Sequence, residues 1–174
     1  KQRRFIRIFT AAAILSAGIS ITSFAGSWAE EEGGWAYYED SGERVANRLL
    51  ELDGEYYYIG EDGLMVSSQW VSIDNENAGQ EDEPEKYWYY FQENGKAYRR
   101  LDGTPSSVTR TKEIDGKEYA FDSEGRMLYG WVSEGERLTG EDAWMEGDYY
   151  FGGENDGSRK IGWQKIRIFT DLDN

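Results

Sequence analysis

The sequence predicts an all-β fold, a solenoid of stacked β-hairpin repeats, and three observations carry that expectation. A tetrad rich in aromatic residues, followed by a glycine turn, recurs five times. Aromatic residues make up 16% of the chain while aliphatic residues are sparse. Glycine is abundant, at 21 of 174 residues, against only 2 prolines, which disfavours long regular helices. A repeat of this size cannot bury its own apolar face, so it gains stability by stacking on a neighbour.

The clearest copy is Trp88-Tyr89-Tyr90-Phe91, which runs through Gln92-Glu93 into Asn94-Gly95. Four rings in a row suit a pleated, half-buried strand. Asn-Gly suits a tight turn because both residues tolerate positive φ. The other copies are Trp35-Ala36-Tyr37-Tyr38 leading to Gly42, Tyr56-Tyr57-Tyr58-Ile59 to Gly63, Glu118-Tyr119-Ala120-Phe121 to Gly125, and Asp148-Tyr149-Tyr150-Phe151 to Gly157. The glycines are 21, 32, 30 and 32 positions apart. Polar stretches at 74–85, 103–110 and 133–142 are the expected insertions, read as solvated loops.

A tryptophan follows three of the glycines: Trp70 after Gly63, Trp131 after Gly125 and Trp163 after Gly157. Asp53-Gly54, Asp115-Gly116 and Glu146-Gly147 then precede the next tetrad. Each unit is therefore expected to run as aromatic strand, glycine turn, short return strand ending in Trp, second turn, next aromatic strand. Alternation along a strand sends successive tetrad residues to opposite faces.

The N-terminus reads as a secretory signal peptide over 1–29. Lys1, Arg3, Arg4 and Arg7 lead a largely apolar run to Ile21. Ser23-Phe24-Ala25 and Ser27-Trp28-Ala29 each fit a cleavage site, so cleavage is expected after Ala25 or Ala29. The repeat array then occupies 30–174, outside the membrane, with no membrane association after cleavage. The formal net charge is −15, and loss of the four leading cations makes the remainder more acidic still. Such a surface repels nucleic acid and anionic lipid.

There is no His and no Cys. This excludes disulfides, imidazole and thiolate metal sites, and Cys or His catalysis. Asp74 to Glu85 has the length of a calcium loop, but Ala78 stands at a ligand position and Pro84 precedes the last acid. It reads as an acidic insertion. No nucleophile elbow, phosphate loop or metalloprotease motif occurs. The expectation is a non-enzyme with no cofactor and no metal.

Gly-Trp, a turn, Trp-Tyr-Tyr-Phe, an Asn-Gly or Asp-Gly turn and a Met before the next Gly-Trp together resemble the choline-binding or cell-wall-binding repeats of Gram-positive surface proteins. The resemblance spans about Gly34 to Trp163 and is most specific at 88–95 and 125–131. It implies hairpins stacked in a β-solenoid, with aromatic cages between them that hold the choline of teichoic acid. A quaternary ammonium donates no hydrogen bond, so rings hold it by cation–π attraction at roughly 0.5–2 kcal/mol. Repetition along a polymer then multiplies weak sites into avidity.

Carried onto this chain, the family's cage falls on Trp70 and Trp88, closed by Tyr90 or Tyr119. A second falls on Trp131 with Tyr149 and Tyr150, or with Trp144 in their place. Gln69 replaces the usual glycine before Trp70, and no Trp follows Gly95 or Gly42, so the repeats are degenerate. The implied partner is choline-substituted teichoic acid or cell-wall glycan, at the bacterial cell surface. Two other readings stay open: a glycan-binding adhesin whose flat rings stack on sugars, and a structural spacer with decayed ligand sites. The C-terminal run Ile166-Arg167-Ile168-Phe169 is expected to form an open edge strand through which a homodimer forms.

Overall fold

The computed structural model describes residues 26–101, 103 and 108–166. The protein is all-β, built of antiparallel hairpins, with one short helix among the described residues. The signal-peptide segment through residue 25 and the expected edge strand from Arg167 onward lie outside them. The chain divides into two compact units. One is formed by residues 26–68 with Phe91–Lys96, the other by Gln69–Tyr90 with residues 97–166.

In the first unit, β1 (Ser27–Glu31) pairs with β2 (Gly34–Tyr38), and β3 (Arg48–Leu52) with β4 (Glu55–Ile59). Tyr37, Val45, Leu50 and Ile59 are buried together, with Trp28, Leu52 and Met65 packed against them. In the second unit, β5 (Gln69–Asp74) pairs with β6 (Lys86–Phe91), whose last residue belongs to the first unit. Next, β7 (Thr111–Ile114) pairs with β8 (Lys117–Ala120). Then β9 (Trp131–Ser133) lies between β10 (Glu136–Arg137) and β11 (Tyr149–Tyr150), and α1 (Ala143–Glu146) fills the connection. This unit has two buried clusters. Ile114, Tyr119, Phe121 and Met127 form one; Ala120, Leu128, Val132 and Phe151 form the other.

The boundaries of the repeat differ from those expected. Glu134-Gly135, with φ of 53° and 77°, is a tight two-residue hairpin turn between β9 and β10, and so are Asp53-Gly54 and Asp115-Gly116. Their φ values of 52° and 74°, and 50° and 75°, are those of a type I′ turn, whose twist matches that of the flanking strands. The glycines after the tetrads close wider turns instead. Gly42, Gly63, Gly95 and Gly125 donate to Glu39, Gly60, Gln92 and Asp122 at 2.8–3.2 Å.

The segments beyond those turns are not return strands. Only single bridges form, Tyr38 to Arg44, Ile59 to Met65 and Phe121 to Met127. The reason lies in the backbone donors. In the first such segment Val45 donates back to Tyr37 and Asn47 donates forward to Gly60, both at 2.9 Å. The ladder cannot extend because its donors are divided between two hairpins. The tryptophan beyond therefore opens the next hairpin: Trp70 lies on β5 and Trp131 on β9.

The forward bond repeats. Asn47 to Gly60 and Ser68 to Gln92 join consecutive repeats in the first unit, and Arg100 to Asp122 and Gly130 to Gly152 do so in the second. Each donor stands five residues after its turn glycine, and each acceptor directly follows a tetrad. Within each unit, consecutive hairpins are thus coupled by peptide groups as well as by rings.

Of the expected loops, 74–85 folds on the buried Asn75. Its side chain donates to the Pro84 carbonyl at 2.9 Å and to Glu83 at 3.0 Å, and accepts from the Asn77 N–H. The Tyr87 hydroxyl also donates to Glu83. Among the described residues no group of three acids is placed to hold a metal ion. The expected loop 133–142 contains β10.

Candidate functional site

Strand β5 presents Trp70, and its partner β6 presents Trp88 and Tyr90. The next hairpin contributes Tyr119 from β8. The Trp70 ring meets Tyr90 edge-on at 5.2 Å and Tyr119 edge-on at 4.8 Å. It lies nearly parallel to Phe121 at 5.9 Å. Tyr90 stacks on Tyr98 at 5.6 Å. Trp88 packs on the same buried cluster and donates its indole N–H to Asn155 Oδ1 at 3.1 Å. The four residues expected here are therefore in one place.

Trp70, Trp88 and Tyr90 are half-buried over a buried floor of Tyr119, Phe121 and Met127. Burial, with the charges of Asp156 and Asp115, raises the Tyr119 hydroxyl above its ordinary value, so it stays neutral. Edge-on contacts near 5 Å leave no space for a cation between Trp70 and either tyrosine. What faces outward is a set of half-exposed ring surfaces, rich in π-electron density and set on a rigid base.

Three members of this group were not anticipated: Tyr98, Phe121 and Met127. Tyr98 stands three residues after Gly95, where Val45, Val66 and Leu128 stand in their own repeats. That recurring apolar position was the available signal. It is masked by the charges around it in Lys96-Ala97-Tyr98-Arg99-Arg100.

The second expected group is divided. Trp131 pairs in register with Tyr150, their rings 5.0 Å apart. Tyr149 pairs with Val132 and so points to the opposite face, where it packs on the second buried cluster. The Arg159 guanidinium covers its ring at 4.5 Å. Trp144 on α1 is 43% exposed, and Trp163 is fully exposed.

A third group was missed altogether. Trp28 on β1 meets Tyr37 edge-on at 5.0 Å and Tyr57 edge-on at 5.3 Å. Tyr37 is its register partner, and Tyr57 comes from the next hairpin. This matches Trp70, which meets Tyr90 from the paired strand and Tyr119 from the next hairpin. Tyr37 and Tyr90 are third in their tetrads, and Tyr57 and Tyr119 second in theirs. Its tryptophan lies in the stretch read as part of the leader, so the match went unseen.

No protein-family model matches the chain, and no curated protein does. Solved structures do. Choline-binding protein F of Streptococcus pneumoniae, in its second crystal form, is 25% identical over 80% of this chain and 36% of its own, with a TM-score of 0.50. CbpJ of the same organism is 23% identical over 80% of this chain and 37% of its own, with a TM-score of 0.51. Alternansucrase, solved in complex with isomaltononaose, is 22% identical over 78% of this chain and 9% of its own, with a TM-score of 0.50. The chain thus spans little more than a third of the length of the two pneumococcal proteins.

Hairpins that each open on a strand paired with an aromatic tetrad, and that bond to the next through fixed peptide groups, define a class of β-hairpin repeat protein. Within that class the chain has the fold of the choline-binding modules, the repeats its sequence resembles.

Proposed function

We propose that this chain is a non-catalytic attachment module of the bacterial cell surface, whose aromatic groups take choline-bearing teichoic acid or wall carbohydrate. The supporting observation is the arrangement of Trp70 with Tyr90 and Tyr119, repeated as Trp28 with Tyr37 and Tyr57. Two matching groups suit a repetitive polymer. The cation rests on the outward ring surfaces of Trp70 and Trp88 rather than between edge-packed rings. The acidic surface raises its local concentration. In this reading the hairpins form a solenoid, and self-association runs through the C-terminal edge, which light scattering over a range of concentrations reads directly.

Of the two expected cleavage points, the one after Ala25 leaves β1 whole. Cleavage after Ala29 removes Trp28 from Tyr37 and Tyr57. N-terminal sequencing of the secreted protein decides between them.

The deciding experiment is a choline titration followed by tryptophan fluorescence. The expected result is saturable quenching at millimolar choline, consistent with ring contacts worth about 0.5–2 kcal/mol each, and its loss in Trp88→Ala. Retention on glucan that free choline does not displace favours the glycan reading, in which the same flat rings stack on sugars. Retention on neither leaves a structural spacer.

A further inference from the structure

The chain is strongly acidic, yet one short stretch is the reverse. Lys96, Arg99, Arg100, Arg110 and Lys112 fall within 17 residues that contain a single acid, Asp102. In the second unit Arg99, Arg100, Arg110 and Lys112 line one cavity of about 80 Å³, floored by Ala120, Phe121 and Leu128. One water needs roughly 10–15 Å³ of such space, so a phosphate-sized group fits.

The cavity is built as well as charged. The Arg100 side chain is 15% exposed, and its guanidinium is held by Glu136 at 2.6 Å. Its backbone N–H makes one of the inter-hairpin bonds, to Asp122 at 2.8 Å. The Lys112 ammonium sits 5.2 Å from the centre of the Tyr98 ring. Within this group Glu136 is bonded to Arg100.

The cavity also adjoins the aromatic group. Phe121, in its wall, lies 5.9 Å from Trp70 and 5.8 Å from Tyr98. A ligand carrying a cation and an anion a few bonds apart can therefore meet the rings with one end and the basic cavity with the other.

We propose that this cavity is an anion subsite for the phosphate diester that carries choline on an anionic wall polymer. The proposal rests on the choline reading of the neighbouring rings. Guanidinium groups suit phosphate because planar donors meet two oxygens at once, and charge-assisted bonds of this kind are about twice as strong as neutral ones. The basic patch also counters the repulsion that a net-negative protein would exert on such a polymer.

The test compares choline, phosphocholine and inorganic phosphate on the full chain at low and high salt. Phosphocholine is expected to bind about tenfold more tightly than choline, and the ratio to shrink as salt screens the charges. In Arg110→Gln and Lys112→Gln, both at exposed positions, the ratio falls toward one while the choline affinity and the circular-dichroism melt stay as in the parent. Equal affinities in the parent, or an unchanged ratio in both variants, overturn the subsite and leave the choline reading standing. Inorganic phosphate reads the cavity without the rings. At low salt it raises the melting temperature of the parent and not of the two variants, whether or not choline binds. No rise in the parent, or the same rise in the variants, rejects the anion site.

Discussion

The backbone N–H of Met127 donates to the carbonyl oxygen of Trp88 at 2.7 Å, and the same bond recurs from Met65 to Trp35 at 2.6 Å and from Arg159 to Glu118 at 2.8 Å. In each case the donor stands two residues after a turn glycine, and the acceptor is the first residue of the preceding tetrad but one. The ring group is therefore fixed at its root. Trp88 is bound through its own carbonyl to the segment that supplies the methionine beneath it.

That methionine sets up a stability prediction. A Cβ at Gly157 would stand 2.8 Å from Met127 Cγ, and at Gly95 2.9 Å from Met65 Cγ, with the sulfur and methyl closer still. Gly116 has a similar positive φ, but a Cβ there meets open space. Gly116→Ala is expected to cost about 1 kcal/mol from backbone strain alone. Gly157→Ala and Gly95→Ala add an overpacking cost, for a total of about 2–4 kcal/mol. Urea unfolding of the three variants checks the order, and equal losses would refute the packing account.

The matching tryptophans should cost alike. Trp28→Ala and Trp70→Ala each remove edge-on contacts with two tyrosines, and each residue is half-buried. About 2 kcal/mol is expected for each, against about 3–5 kcal/mol for the fully buried Phe151→Ala. Denaturant midpoints that separate Trp28→Ala widely from Trp70→Ala would show that the two groups are not equivalent.

Asp122 organises a wide turn. Its Oδ1 accepts from the N–H groups of Glu124 and Arg126 at 2.9 and 2.8 Å, and its Oδ2 accepts from Arg126 Nε at 2.6 Å. The residue is buried, so truncation leaves those donors unanswered. Asp122→Ala is expected to destabilise by about 1–3 kcal/mol, with Asp122→Asn in between because the amide oxygen still serves the two backbone donors. A thermal melt of both variants reads this.

Stability should fall at both extremes of pH. Burial raises the hydroxyls of Tyr37, Tyr57, Tyr119 and Tyr129 above 10.0. The folded protein then keeps phenol protons that the unfolded chain releases. This stability is intact below pH 10 and is lost as pH climbs through the raised values. For Asp156, burial pushes the carboxyl up, but hydrogen bonds from Lys160 and Ser158 outweigh it and hold it below 3.8. Its contribution is present above pH 3.8 and disappears as pH falls through the lower folded value. Tyrosinate absorbance that rises together with loss of circular dichroism checks the alkaline limb. A flatter acid limb in Asp156→Asn checks the other.

The all-β hairpin fold was legible because ring tetrads and glycines recur at visible intervals, and the meeting of Trp70, Trp88, Tyr90 and Tyr119 because those four follow the repeat. What was misread has a physical cause in each case. Asp53-Gly54 and Asp115-Gly116 were visible as turns, but Asn94-Gly95 drew attention as the tighter hairpin signal. Composition does not tell whether the N–H groups beyond such a turn stay in one ladder or divide between two hairpins. Tyr149 and Tyr150 were grouped although strand alternation sends adjacent residues to opposite faces. Trp28 was hidden because the same residues that make a cleavage motif also make an edge strand.

The coupling of neighbours through the N–H of Asn47, Ser68, Arg100 and Gly130 has a consequence for how this chain can change over generations. Three of those four donors, Asn47, Ser68 and Gly130, hold positive φ of 48°, 52° and 70°, so the linkage asks for an amide proton and, at those places, a left-handed backbone. Proline is barred from such a place, and β-branched residues are strained where φ is positive. Ring residues are not part of this linkage, so a hairpin can change its rings and still keep its peptide bond to the neighbour within its unit.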